Sequence, residues 1–215
     1  MNLLSLAETI VLYAVPMILA ITLHEAAHGY VARMFGDRTA EQMGRITLNP
    51  IRHIDPVGTI AVPLVLFLVS KLAGGPPFFF GWAKPVPVNF AALRNPKQDM
   101  FWVASAGPLM NLLMALAWAL VYKFAPAGAV AAMAQIGVTV NVFLMVLNLV
   151  PIPPLDGGRI AVSLLPHSLA LAYSKLEPYG MFIIILLIAI PGLMSATLLP
   201  VADTVLDLIS TVLGI

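Results

Sequence analysis

The sequence contains no cysteine, and only 10% of its 215 residues are charged. The first absence excludes a disulfide scaffold and a thiolate metal site, so any metal must be held by nitrogen and oxygen. The second excludes an ordinary water-facing surface, because a soluble domain carries about 25% charged residues. Here 60% of residues are hydrophobic and the mean hydropathy is +0.97. An excess of one charge sign is missing too. The net charge is +1, and no basic run or basic-plus-aromatic patch suggests a nucleic-acid partner. The N-terminal stretch MNLLSLAETIVLYAV lacks a basic n-region and a small-residue cleavage site, so it is expected to be a retained first span. No internal repeat or low-complexity tract is visible. This composition suits a lipid bilayer as its solvent.

What is present are apolar runs. Crossing the hydrocarbon as a helix takes about 20 apolar residues. Runs of helical length occupy 8–34, 56–73, 100–124, 129–150 and 179–197, with a shorter one at 199–213. They predict an all-α polytopic membrane protein with about five to six transmembrane helices. Residues 43–52 (MGRITLNPIR) and 81–90 (GWAKPVPVNF) carry glycine, proline and β-branched residues, and read as short strands or extended loops. Such a re-entrant or β-like segment survives at membrane depth only when buried in protein or lining a wet cavity.

Residues 24–28 read His-Glu-Ala-Ala-His. On a helix His24 and His28 lie one turn apart on one face, so their imidazoles can converge on one metal. Glu25 sits about 100° round the helix, within reach of a water on that metal. Zinc held this way lowers the pKa of its water to about 7, and Glu25 would accept that proton and pass it to a leaving amine. With four histidines and four glutamates in the chain, shuffling would produce the pattern roughly 0.001 times per sequence. The motif lies near the end of the first span, roughly 10–15 Å below the membrane surface at 1.5 Å per residue. Ionisable residues at such depth are functional candidates by default. The plainer alternative is a histidine pair satisfied by neighbouring helices, with Glu25 neutral.

Two histidines leave a catalytic zinc one protein ligand short. Asp156, at the end of Asn148-Leu-Val-Pro-Ile-Pro-Pro-Leu-Asp156-Gly157-Gly158, follows directly on the fourth apolar run. Its prolines break the helix and its glycines permit a tight turn that could aim the carboxylate inward. The alternative is that Asp156 merely caps the next helix. Asp203 and Asp207 pair less well with the other motifs.

If 100–124 and 129–150 form a hairpin, Asn111 and Asp156 face the same side of the membrane. The first span joins them there only if 35–99 leaves and returns on that side, through 56–73 and an extended re-entrant return over 74–90. Arg33, Arg38, Arg45, Arg52, Lys84, Arg94, Lys97, Arg159 and Lys175 then fall on the motif side, against Lys71 and Lys123 opposite. The positive-inside rule makes the motif side cytoplasmic.

The residues HEAAHG at 24–29, GPLMN at 107–111 and NLVPIPPLDGG at 148–158 resemble, in order, spacing and membrane placement, the site-2 protease family of intramembrane zinc metalloproteases. The likeness covers roughly 8–160 and is to the compact branch without inserted PDZ or CBS domains. It implies a single membrane-embedded domain over 1–215, with a catalytic core at about 8–160 and C-terminal helices over 161–215. It implies Zn2+ held by His24, His28 and Asp156, with Glu25 as catalytic base. It also implies cleavage of transmembrane protein substrates in the bilayer of a prokaryotic cell. Asn111, and secondarily Asn148, become candidates to orient substrate or stabilise an oxyanion.

Other residues have plainer readings. His53 reads as solvated or interfacial, with an active-site accessory as the alternative, His167 as solvated, Phe78-Phe79-Phe80 as packing or lipid-facing, and Trp82 and Trp102 as an interfacial belt. Segments 44–50 or 84–88 are expected to pair with an unwound substrate by edge addition. A different class of function, a zinc transporter or sensor using the same ligands without hydrolysis, would have no evident need for Glu25 beside His24.

Overall fold

The structure, a computed structural model, describes residues 3–72, 74 and 81–215. The run Phe78-Phe79-Phe80 and part of the expected return over 74–90 lie outside the described residues. Among those described, the helices are α1 (Leu3–Met34), α2 (Thr39–Gln42), α3 (Val62–Leu72), α4 (Pro96–Phe124), α5 (Ala129–Asn148), α6 (Asp156–Leu164), α7 (His167–Ser174), α8 (Glu177–Ala189) and α9 (Pro191–Leu213). A widened π turn over Pro56–Ala61 leads into α3.

This is the all-α multi-pass membrane architecture that the apolar runs predict. Four stretches are long and apolar enough to span: Glu8–Met34, Pro96–Phe124, Ala129–Asn148 and Gly192–Leu213. The pair α7–α8, bent by 64°, makes a fifth if it counts as one span. The expected helix at 56–73 is a shorter apolar helix over Pro56–Leu72, and α3 buries no residue in the bundle. The expected helices at 179–197 and 199–213 are divided differently. The break falls at Ile190, which is extended (φ −91°, ψ 104°) because Pro191 follows it, and Pro200 instead lies inside α9.

Helices α1, α4 and α5 form the centre, with α6 and α9 packed on α4 and α5. Helix α4 turns a stripe of Val103, Gly107, Asn111, Ala115 and Ala119 inward, residues four apart on one face. Small side chains there let the backbones approach closely, which is how helices associate in lipid. The amide of Arg94 donates to the Phe35 carbonyl (3.0 Å), so the excursion between α1 and α4 returns to the end of α1 where it began. At the opposite end of the bundle the Lys123 ammonium donates to the Leu213 carbonyl.

Neither 43–52 nor 81–90 forms a strand. The first is a turn, with the Arg45 amide bonded to the Ala40 carbonyl (2.8 Å), followed by a 3-10 turn over Pro50–His53. The second is extended over 81–89 but pairs with no strand. Pro85 and Pro87 have no N–H, and the donors between and beside them go elsewhere. Lys84 N–H bonds the His53 carbonyl (2.8 Å), Val86 N–H the Glu25 carboxylate (2.7 Å) and Asn89 N–H the Asp37 carboxylate (2.6 Å).

Candidate metal centre

His24 and His28 stand one turn apart on α1, as their spacing requires, and Asp156 opens α6. All three are buried. Their ligand atoms form a near-equilateral triangle: the two imidazole Nε2 atoms are 3.1 Å apart, and the Asp156 Oδ2 lies 3.2 Å from one and 3.3 Å from the other. Among the described residues no other three histidine or carboxylate side chains converge in this way.

The other ring nitrogens decide what the triangle can hold. His24 Nδ1 faces the Asn111 Oδ1 at 2.6 Å, and His28 Nδ1 faces the Val103 carbonyl at 2.7 Å. Both facing atoms accept, so a neutral imidazole at either position carries its proton on Nδ1 and turns the Nε2 lone pair inward. Asp156 Oδ2, buried beside them, has no hydrogen-bond donor. Three electron-rich atoms aimed at one another without a proton repel unless a cation lies between them. Ligands about 2.0–2.1 Å from a tetrahedral ion stand about 3.3 Å apart, which is the triangle's edge. The residues therefore fit zinc, with a fourth position left for water or substrate.

Comparison with known proteins agrees. The chain is 36% identical to the Bacillus subtilis protein "Putative zinc metalloprotease YwhC" over 92% of its own length and 90% of the relative's. It belongs to peptidase family M50. The profile of that family matches residues 122–190, the stretch that includes Asp156. "Putative zinc metalloprotease Rip2" of Mycolicibacterium smegmatis is 32% identical over 88% of this chain and 71% of its own. Rip2 of Mycobacterium tuberculosis is 29% identical over 87% of this chain and 69% of its own. No solved structure matches the chain.

In this M50 chain Asp156 is held by a clamped loop. Residues 149–155 run between α5 and α6, and α8 lies directly on them. A Cβ at Gly180 would stand 1.5 Å from the Pro153 carbonyl oxygen, so only glycine allows that approach. Tyr173 on α7 donates its hydroxyl to the Pro151 carbonyl. Asp156 makes no side-chain cap to its own helix, and its carboxylate turns to the histidines instead.

The remaining sequence candidates separate. Glu25 is half-buried, and its Oε2 accepts the Val86 amide. Asn111 is brought to the site, but its Nδ2 is committed to Asn141 Oδ1 (3.0 Å) and the Ala20 carbonyl (3.4 Å). Asn148 bonds back to the Leu144 carbonyl of its own helix (2.9 Å). His53 is buried, not solvated as expected, and its Nε2 bonds the Thr47 carbonyl (3.1 Å). His167 is exposed, and Asp203 and Asp207 lie on an exposed side of α9 away from the triangle.

Two residues at the site escape the motif reading. Gly107 brings α4 against both imidazoles. A Cβ there would lie 2.4 Å from His28 Nε2 and 2.6 Å from His24 Nε2. Asn141 is wholly buried behind Asn111. Its signal is plain in retrospect, since an amide in the middle of an apolar span needs a partner.

Proposed function

We propose that this protein is an intramembrane zinc endopeptidase that cuts peptide bonds within or near transmembrane segments of membrane proteins, at a site opening toward the cytoplasm of a prokaryotic cell. The observation that carries the reading is the convergence of His24 Nε2, His28 Nε2 and Asp156 Oδ2 to within 3.3 Å of one another, with Glu25 on the next helical position.

Zinc held there supplies a Lewis acid for water and for the scissile carbonyl. His24, His28 and Asp156 hold it and leave one position open. Glu25 acts as general base, taking a proton from the attacking water and returning it to the departing amine. The Val86 amide donates to that carboxylate and holds it in place beside the two histidines. Asn111 serves the metal through His24 and not the oxyanion, because its N–H groups are committed elsewhere. Segment 84–88 has its Lys84 and Val86 amides and its Lys84 and Pro85 carbonyls already bonded, so edge addition by an unwound substrate would use its remaining carbonyls as acceptors. The nine basic residues at the motif end of the chain support the cytoplasmic orientation.

Glu25→Gln tests the reading. The amide preserves shape and the bond from Val86 but cannot accept the proton. The expected result is full zinc content and loss of cleavage of a transmembrane substrate reconstituted with the protein. Cleavage surviving at the parent rate would refute catalysis by Glu25. Zinc flux across sealed vesicles that persists in this variant would favour the transporter alternative.

A further inference from the structure

We propose that Asn141 is a positioning residue of the zinc site, acting through Asn111 to fix which nitrogen of His24 carries the proton. The proposal rests on the zinc reading above and assigns a role to a residue outside the three motifs.

Asn141 on α5, Asn111 on α4 and His24 on α1 stand in line. Asn141 Nδ2 lies 2.8 Å from the Gly137 carbonyl, Asn141 Oδ1 3.0 Å from Asn111 Nδ2, and Asn111 Oδ1 2.6 Å from His24 Nδ1. Taken singly, each group is ambiguous: an amide can be turned end for end, and a neutral imidazole has two tautomers. The far end of the line is not ambiguous. The Gly137 carbonyl can only accept, so Asn141 must turn its NH2 toward it and its oxygen toward Asn111. Asn111 must then donate to that oxygen, and the Ala20 carbonyl, 3.4 Å from the same nitrogen, requires the same orientation. The Asn111 oxygen is left facing His24, which has to carry its proton on Nδ1. The His24 Nε2 lone pair is thereby directed into the triangle.

Turning either amide over would set acceptor against acceptor and donor against donor along the line. Asn111 and Asn141 are both 0% exposed, so no bulk water relieves the mismatch. His28 needs no such device. Its Nδ1 meets a backbone carbonyl, that of Val103, whose role is fixed by its chemistry. The two ligand histidines are thus set by different means, one directly by backbone and the other by two buried amides ending on backbone.

The test uses the purified full-length protein and zinc affinity measured by competition with a chromogenic chelator, which needs no substrate. Asn111→Leu should weaken zinc about 10–100-fold and Asn141→Leu about tenfold, the range for partners behind a ligand histidine. Because Asn141 acts only through Asn111, the double variant should bind no more weakly than Asn111→Leu alone. Asn141→Asp, buried as the neutral acid, can donate to Gly137 and accept from Asn111, and should restore affinity to within about threefold of the parent. The cobalt-substituted parent and Asn141→Asp proteins should share a tetrahedral visible spectrum that Asn141→Leu alters. If Asn141→Leu does not fold, Asn141→Ala takes its place. Unchanged affinity in the folded Asn141→Leu or Asn141→Ala protein, or losses that multiply in the double variant, would overturn the relay while leaving the zinc reading intact. A parent protein that takes up no zinc would overturn both.

Discussion

Gly107→Ala adds one methyl group where α4 presses on the two ligand histidines. The new carbon would stand 2.4 Å from His28 Nε2, 2.6 Å from His24 Nε2 and 2.5 Å from His24 Cε1. Ordinary contact between such atoms is about 3.5 Å, so the overlap is about 1 Å on both rings. Relief requires α4 to withdraw or the rings to turn. Both acceptors that hold the rings, Asn111 Oδ1 and the Val103 carbonyl, are on α4 at 2.6 and 2.7 Å. A retreat of about 1 Å takes both bonds past the useful limit near 3.5 Å. Each partner of this kind is worth about 10–100-fold in metal affinity, so losing two predicts zinc weakened by at least about 100-fold, or about 2.7 kcal/mol. A weaker helix cannot be the cause, because glycine to alanine inside a helix stabilises it by about 0.5–1 kcal/mol. Zinc per chain by elemental mass spectrometry and chelator competition read the outcome, with circular dichroism to confirm retained helix. A Gly107→Ala protein that carries one zinc with parental affinity would refute the close approach of α4 to the metal ligands.

Gly180→Ala should push α8 off the loop that carries Asp156, costing about 1–3 kcal/mol of stability in thermal unfolding and weakening zinc with it. Arg45→Met should free segment 84–88, since the Arg45 guanidinium now donates to the Lys84 carbonyl (2.7 Å) and the Pro85 carbonyl (3.3 Å). Zinc should stay bound while kcat falls, and unaltered cleavage would show that the segment's placement is irrelevant to Glu25. Asp37 should make the same region acid-sensitive. Burial opposes its charge, but hydrogen bonds from Thr39 and the Asn89 amide outweigh this and hold its pKa below the ordinary carboxylate value. A lowered folded pKa contributes stability that is complete above about pH 4, the unfolded value, and is lost as the pH falls through the folded one. The protection factor of the Asn89 amide, relative to the intrinsic exchange rate at each pH, should therefore fall in acid, and Asp37→Asn should flatten that fall.

The parts of the site that a reader of the sequence can find are those set by helical period or by breaker residues. His24 and His28 meet because four residues are about one turn, and Asp156 is marked by the prolines before it and the glycines after it. The start of α4 was expected at 100 and lies at Pro96, because proline at a helix's first turn loses no bond. The division between α8 and α9 follows Pro191 rather than the later Pro200, and proline alone does not say which of the two will break. Residues 81–89 look strand-like by composition, yet their donors are used by His53, Glu25 and Asp37, which are distant in sequence. Tertiary partners override the local pattern there. Asn141 was legible only in part, since an amide in an apolar span calls for a partner without saying which. It belongs to no motif, and only the packing of α5 on α4 shows that its amide points at another amide.

Seen from α4, the motif Gly107-Pro-Leu-Met-Asn111 acquires a single physical meaning. Val103, Gly107 and Asn111 are four residues apart and share the buried face that meets α1. The first offers a carbonyl to His28, the second offers room for both rings, and the third offers an oxygen to His24. None of these three contacts requires a substrate to be present. The motif is therefore explained by the two imidazoles it braces. The resemblance made Asn111 a candidate to stabilise an oxyanion, but its N–H groups are given to Asn141 and to the Ala20 carbonyl. The extended backbone at 84–88 meets the Glu25 carboxylate through Val86 and is anchored by Arg45 rather than by a neighbouring strand.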